Sequence, residues 1–159
     1  ERFHSLTLES ASPGLATKQK RKERRESDNV LADKIEAKGI ECFVDFWEGL
    51  SLWKSQKSLS SEVLNEQRTQ RLRNSPQGLA NSLRGMGTGV QPNLVHGLAD
   101  LMLPTQLIVG EQDTKFIGIH REMATQIPNV TATTIAGAGH TVHLEKPSAF
   151  MEQVLFFIK

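Results

Sequence analysis

One cysteine, Cys42, stands in 159 residues. No internal disulfide can form, and a reducing, cytoplasmic setting is expected. Cys42 itself reads as a small buried hydrophobe rather than a reactive thiol. No apolar run approaches the roughly 18 residues that a transmembrane helix requires, and no signal peptide is visible, so no membrane role is expected. Neither sign of charge is in excess: 19 Lys and Arg against 18 Asp and Glu leave a formal net charge of +1. Nucleic acid and anionic membranes are therefore not expected partners. An initiating methionine is also lacking. The chain opens at Glu1 and runs almost directly into an apolar segment, which reads as a piece excised from a longer polypeptide.

What is present has the balance of a globular protein, 38% apolar and 23% charged, with length for one ordinary domain. The texture changes twice along the chain. Residues 4–9 (His-Ser-Leu-Thr-Leu-Glu) alternate polar and apolar, a strand pattern, and Ser10-Ala-Ser-Pro-Gly14 breaks it. Residues 17–100 look helical. Thr17 to Lys38 is dense in Lys, Arg and Glu, and Gly39 is placed to stop it. Ile40, Phe43, Val44 and Trp47 then fall on one helical face. Ser60-Ser61-Glu62 opens another helix, and Pro76 sits where a first-turn proline belongs, with Leu79, Ala80 and Leu83 on one face. From about residue 101 the pattern becomes strand, helix, strand, helix. Thr105–Val109 is an apolar strand; Thr114 is placed to cap a helix reaching Ile127; Val130–Ala136 is β-branched; Pro147–Ile158 is helical. That alternation implies α/β class, parallel pairing and right-handed crossovers. Three strands are too few for a parallel sheet buried on both faces, so further strands are expected upstream of Glu1.

Two segments carry chemistry. Val109-Gly-Glu-Gln-Asp113 puts an acid just past the end of one strand, and Gly137-Ala-Gly-His140 puts a histidine in the loop after the next. In open parallel sheets, sites gather beyond the carboxyl ends of the strands, so both residues point to one rim. A carboxylate bonded to one imidazole nitrogen fixes the tautomer, and the other nitrogen can then take a proton from a hydroxyl. Taken singly, Asp113 reads as a helix cap and His140 as a structural histidine; the paired spacing makes them the candidate catalytic acid and base. His143 lies three residues beyond His140, but no third metal ligand of suitable spacing accompanies the two, and it reads as a packing or hydrogen-bonding neighbour. Gly85-x-Gly-x-Gly89 follows a helix rather than a strand, which is the wrong context for a phosphate loop.

This tail resembles the α/β-hydrolase family, whose triad runs Ser, Asp, His along the chain. Asp113 matches the family's acid and His140 its base, and Glu1–Leu8 resembles the strand that follows the nucleophile helix. The resemblance implies three segments: a core strand and loop at 1–16, a helical lid at 17–100, and a C-terminal α/β core at 101–159 with three parallel strands and flanking helices in all. Leu8–Leu15, the basic run ending at Asp28, Ser75–Gly89 and Gly137–Glu145 are similar to one subfamily, the 2-succinyl-6-hydroxy-2,4-cyclohexadiene-1-carboxylate synthases of bacterial menaquinone (vitamin K2) biosynthesis. That resemblance implies a lyase without metal or organic cofactor. In it, a histidine-activated serine abstracts a ring proton and pyruvate is expelled from an enolpyruvyl group. It also implies a small-molecule carboxylate substrate met by lid arginines. Arg24 matches one by position, Arg71 or Arg73 a second, and Trp47 an aromatic lid position; Arg84 reads equally as a helix-end residue.

The Gly-x-Ser-x-Gly element that bears the family's nucleophile does not occur in this sequence. The chain alone is therefore expected to be inactive, to need the missing N-terminal half of the same fold, and to self-associate through its bare strand. Two further readings stand beside the synthase. One is another α/β-hydrolase, an esterase or a carbon–carbon bond hydrolase. The other is a non-catalytic binding module.

Overall fold

The computed structural model describes residues 3–159; the first two positions of the Glu1–Leu8 segment lie outside them. The chain divides into two compact units. One runs through Pro13 and includes Leu52–Ser58 and Leu94–Lys159; the other is Gly14–Ser51 with Leu59–Asn93.

The first unit is built on a parallel sheet of β1 (Leu6–Glu9), β2 (Thr105–Gly110) and β3 (Val130–Ile135), in that spatial order. Leu8 lies opposite Leu107, and Leu107 opposite Ala132. Every residue of β2 is buried, as expected for a central strand covered on both faces. Alternation of side chains sends successive residues to opposite faces. Leu107 joins Leu98, Met123 and Ile127 on the side of α4 (Thr114–Ala124). Ile108 joins Ile135, Ala138 and Val142 on the side of α5 (Val142–Glu145) and α6 (Pro147–Phe157). Of the strand expected at 4–9, the last four residues are extended, and it ends because Ser10 takes φ 42, outside extended backbone. A 3₁₀ segment at Val95–Asp100 supplies Leu98 to the core.

The cap of α4 differs from expectation. Asp113, not Thr114, is the capping residue; its Oδ1 accepts the Phe116 N–H at 3.4 Å. Both residue types can cap, but Thr114 already has helical geometry while Asp113 has φ −92 and ψ 68.

The second unit is helical. Helix α1 spans Lys18–Glu48 and is interrupted at Gly39, where φ 79 and ψ 179 suit only glycine. Thr17 caps its start by accepting the Lys20 N–H. Helices α2 (Ser61–Leu72) and α3 (Pro76–Met86) are capped by Ser60 and Ser75, and Pro76 occupies the first turn of α3. Ala32, Ile35 and Ala80 are fully or almost fully buried where α1 and α3 pack. The glycine run after α3 has a packing role. A side chain at Gly89 would come within 2.6 Å of the Arg25 main-chain nitrogen, and one at Gly87 within 2.7 Å of Asp28 Oδ2. Among the described residues, no helix is long and apolar enough to cross a membrane.

Candidate active site

Asp113 and His140 come together at the carboxyl end of the sheet, as their spacing predicts. The two loops that carry them are joined by main-chain bonds. Glu111 N–H donates to Ile135 O at 3.0 Å and Gln112 N–H to Ala138 O at 2.9 Å. Gly137 N–H donates to Glu111 Oε2 at 2.9 Å. Thus the acid segment of one strand end is laid along the histidine segment of the next.

His140 Nδ1 lies 2.6 Å from Asp113 Oδ2. The Asp113 side chain is 5% exposed and that of His140 is 20% exposed, so the carboxylate is sheltered while the imidazole reaches the surface. An acceptor on Nδ1 holds the proton there and leaves Nε2 with a free lone pair, the arrangement a general base requires. Asp113 divides its two oxygens: Oδ2 meets the imidazole and Oδ1 caps α4. Aromatic rings flank the histidine. Phe116 lies 4.7 Å from its ring centre and Trp53 5.7 Å, the latter edge-on.

Three contributors were not legible in the sequence. Gln56, buried in the 3₁₀ segment Ser51–Ser58, donates through Nε2 to Thr141 Oγ1 at 2.9 Å. Glu145 accepts the main-chain N–H groups of Gly139 and Thr141. His120, buried on α4, accepts the Ala11 N–H on Nε2 at 3.2 Å. Burial pushes the His120 pKa below the ordinary imidazole range, against an opposing pull from the Asp113 charge. His143 does bond to a neighbour: its Nδ1 lies 2.7 Å from Glu9 Oε2, and its N–H donates to Glu9 Oε1 at 3.0 Å.

Arg24, Arg71, Arg73 and Trp47 all belong to the helical unit. Arg24 is partly exposed and donates through its inner Nε to the buried Asp28 at 2.7 Å, so its terminal nitrogens are not spent on that carboxylate. Arg71 donates to Glu48 Oε1 at 3.0 Å and Gln67 Oε1 at 2.7 Å. Arg73 is exposed at the C-cap of α2. Trp47 packs against Phe43 with ring centres 5.6 Å apart. Arg84 holds Asp33 and Glu36 at 2.6 and 2.7 Å, and its guanidinium lowers the Glu36 pKa.

No family model matches the chain. It is 44% identical over 158 residues to a Bacillus subtilis (strain 168) protein provisionally named 2-succinyl-6-hydroxy-2,4-cyclohexadiene-1-carboxylate synthase, covering 99% of this chain and 58% of that protein. A Salmonella arizonae protein named as the same synthase is 30% identical over 149 residues, covering 94% of this chain and 56% of that protein. Among solved structures, MenH from S. aureus superimposes with a TM-score of 0.96 at 40% identity, over 98% of this chain and 59% of that one. An esterase from Thermogutta terrifontis superimposes at TM-score 0.80 with 21% identity, a likeness of fold alone. The chain thus spans less than three fifths of the length of the relatives it resembles, as 58% and 59% show for the Bacillus subtilis and S. aureus proteins.

Proposed function

We propose that this chain, the C-terminal part of an α/β-hydrolase fold, contributes the acid and the histidine of a lyase of the 2-succinyl-6-hydroxy-2,4-cyclohexadiene-1-carboxylate synthase kind, with the serine outside these 159 residues. The observation that carries the reading is the 2.6 Å contact between His140 and Asp113. It is supported by the 44% identity to a relative that bears the synthase name.

In this reading Asp113 holds the Nδ1 proton of His140 and stabilises the imidazolium that forms. His140 Nε2 takes the proton of the serine hydroxyl, and the resulting alkoxide removes a ring proton from 2-succinyl-5-enolpyruvyl-6-hydroxy-3-cyclohexene-1-carboxylate. The electrons of that C–H bond form a new ring double bond, the existing ring double bond shifts by one position, and the carbon–oxygen bond to the enolpyruvyl group breaks. The departing enolate is protonated to pyruvate with the proton that His140 took, which restores the neutral imidazole. Arg24, with Arg71 or Arg73, meets the substrate carboxylates, because a planar guanidinium presents a fork of donors to a carboxylate. Trp47 supplies an apolar wall.

The test is pyruvate release from that substrate by the protein as its source makes it, beside His140→Ala. Turnover that falls by roughly 10³- to 10⁴-fold in the variant is expected. No pyruvate from the unsubstituted protein, or a variant within tenfold of it, would overturn the reading.

A further inference from the structure

The loop that carries His140 is rich in glycine. Gly137 takes φ 67, and a second glycine, the buried Gly139, immediately precedes the histidine. Glycine leaves the backbone wide freedom, whereas a working general base must be held within about 0.5 Å of its productive position. A bond from Asp113 to the ring constrains the side chain but not the main chain that bears it.

Glu145 acts on the main chain. Gly139 N–H donates to Glu145 Oε2 at 2.7 Å, and Thr141 N–H donates to Oε1 at 3.2 Å. These are the amides on either side of His140. The Glu145 N–H in turn donates to Thr141 O at 2.9 Å, which closes the loop on α5. Gly139 has no side chain to obstruct this: a Cβ there would come within 3.1 Å of Glu145 Oε2 and 2.7 Å of Ser55 Cβ. Both oxygens of one half-buried carboxylate are therefore committed to the main-chain N–H groups of the two residues that flank the histidine.

We propose that Glu145 is a positioning residue for His140: it clamps the flanking amides so that the imidazole is presented in one orientation with its Nδ1 on Asp113. The proposal rests on the catalytic reading of His140 given above. Glu145→Gln is the informative change, because the amide keeps one acceptor oxygen and turns a donor toward the other N–H.

The experiment is NMR on the protein as its source makes it, labelled with ¹⁵N. It reads the low-field His140 Nδ1–H resonance and the exchange rates of the Gly139 and Thr141 amides. In E145Q the resonance is expected to broaden or vanish, and the amides to exchange about five- to tenfold faster, the equivalent of one hydrogen bond of average strength. A variant that melts earlier yet keeps the resonance unchanged would reduce Glu145 to a stabilising role and overturn the proposal. So would a finding, in the unsubstituted protein, that the two amides exchange like those of an open loop; that measurement needs no variant to fold. Turnover supplies a separate arm. E145Q should lower kcat by roughly 10²-fold with KM unchanged, and an unchanged kcat would overturn the proposal. An unsubstituted protein that releases no pyruvate would sink the synthase reading while the NMR result still decides the role of Glu145.

Discussion

At the scale of single residues, most of the informative side chains do two things at once. Asp113 caps α4 with one oxygen and holds His140 with the other. The two readings that competed for it in the sequence, helix cap and histidine partner, are both true of its geometry. Arg24 divides its guanidinium in the same way, with Nε on the buried Asp28. If its terminal nitrogens meet a substrate carboxylate, Arg24→Ala should lower kcat/KM for the polyanionic substrate by roughly 10- to 100-fold, the range for one charge-assisted contact. Hydrolysis of a neutral ester, assayed in parallel, should change less than about twofold. Equal losses on both substrates would remove Arg24 from carboxylate recognition. His120 yields a prediction about pH. Its pKa in the folded state lies below the ordinary value of 6.5 because burial disfavours the charged form. The unfolded chain therefore binds more protons in the window below 6.5, and stability falls as pH drops through that window. His120→Gln keeps an acceptor for the Ala11 N–H and cannot titrate. Its denaturation midpoint should lose less than that of the unsubstituted protein between about pH 7.5 and 5.5; parallel losses would show that His120 carries none of the slope.

At the scale of elements, the pieces with a strong repeating signal were legible. The apolar run Thr105–Val109 became the central strand, the β-branched run from Val130 became its neighbour, and Gly39 broke the long helix where its position suggested. Elements held by side chains reaching across the chain were not. Ser51–Ser58 has no apolar period, and its significance lies in Gln56 and Trp53, whose partners are about 85 residues away in sequence for the Gln56 bond. Glu145 was hidden for a related reason: its partners are main-chain amides, which carry no residue signature. The Gly85–Gly89 run was legible only as punctuation, and packing explains it better. With no side chain at Gly89, the loop after α3 lies directly against the main chain of α1. Gly89→Ala must push a Cβ to within 2.6 Å of the Arg25 nitrogen or displace one element. A loss of about 1–3 kcal/mol in denaturant unfolding is expected, as for other overpacked sites; no loss would show that α1 and this loop are more loosely joined than the geometry requires.

At the scale of the whole molecule, the fold class and the meeting of Asp113 with His140 followed from the order of elements, because a parallel pair of strands must send both following loops to one rim. The division of the chain followed less directly. Composition changes near residues 17 and 100, yet Leu52–Ser58, well inside that helical stretch, folds with the sheet-bearing unit. Seven residues of mixed character cannot announce such a change of allegiance by composition, whereas the ring of Trp53 beside His140 and the bond from Gln56 to Thr141 make it plain. This has a practical consequence for grafting. The helical region of such a protein invites exchange as a single cassette, cut near Pro13 and again near Leu94 to alter substrate preference. A cassette cut there would carry away Trp53 and Gln56 with the helices, and the recipient would inherit a foreign setting for its own histidine. Two shorter transplants, Gly14–Ser51 and Leu59–Asn93, would leave that setting in place.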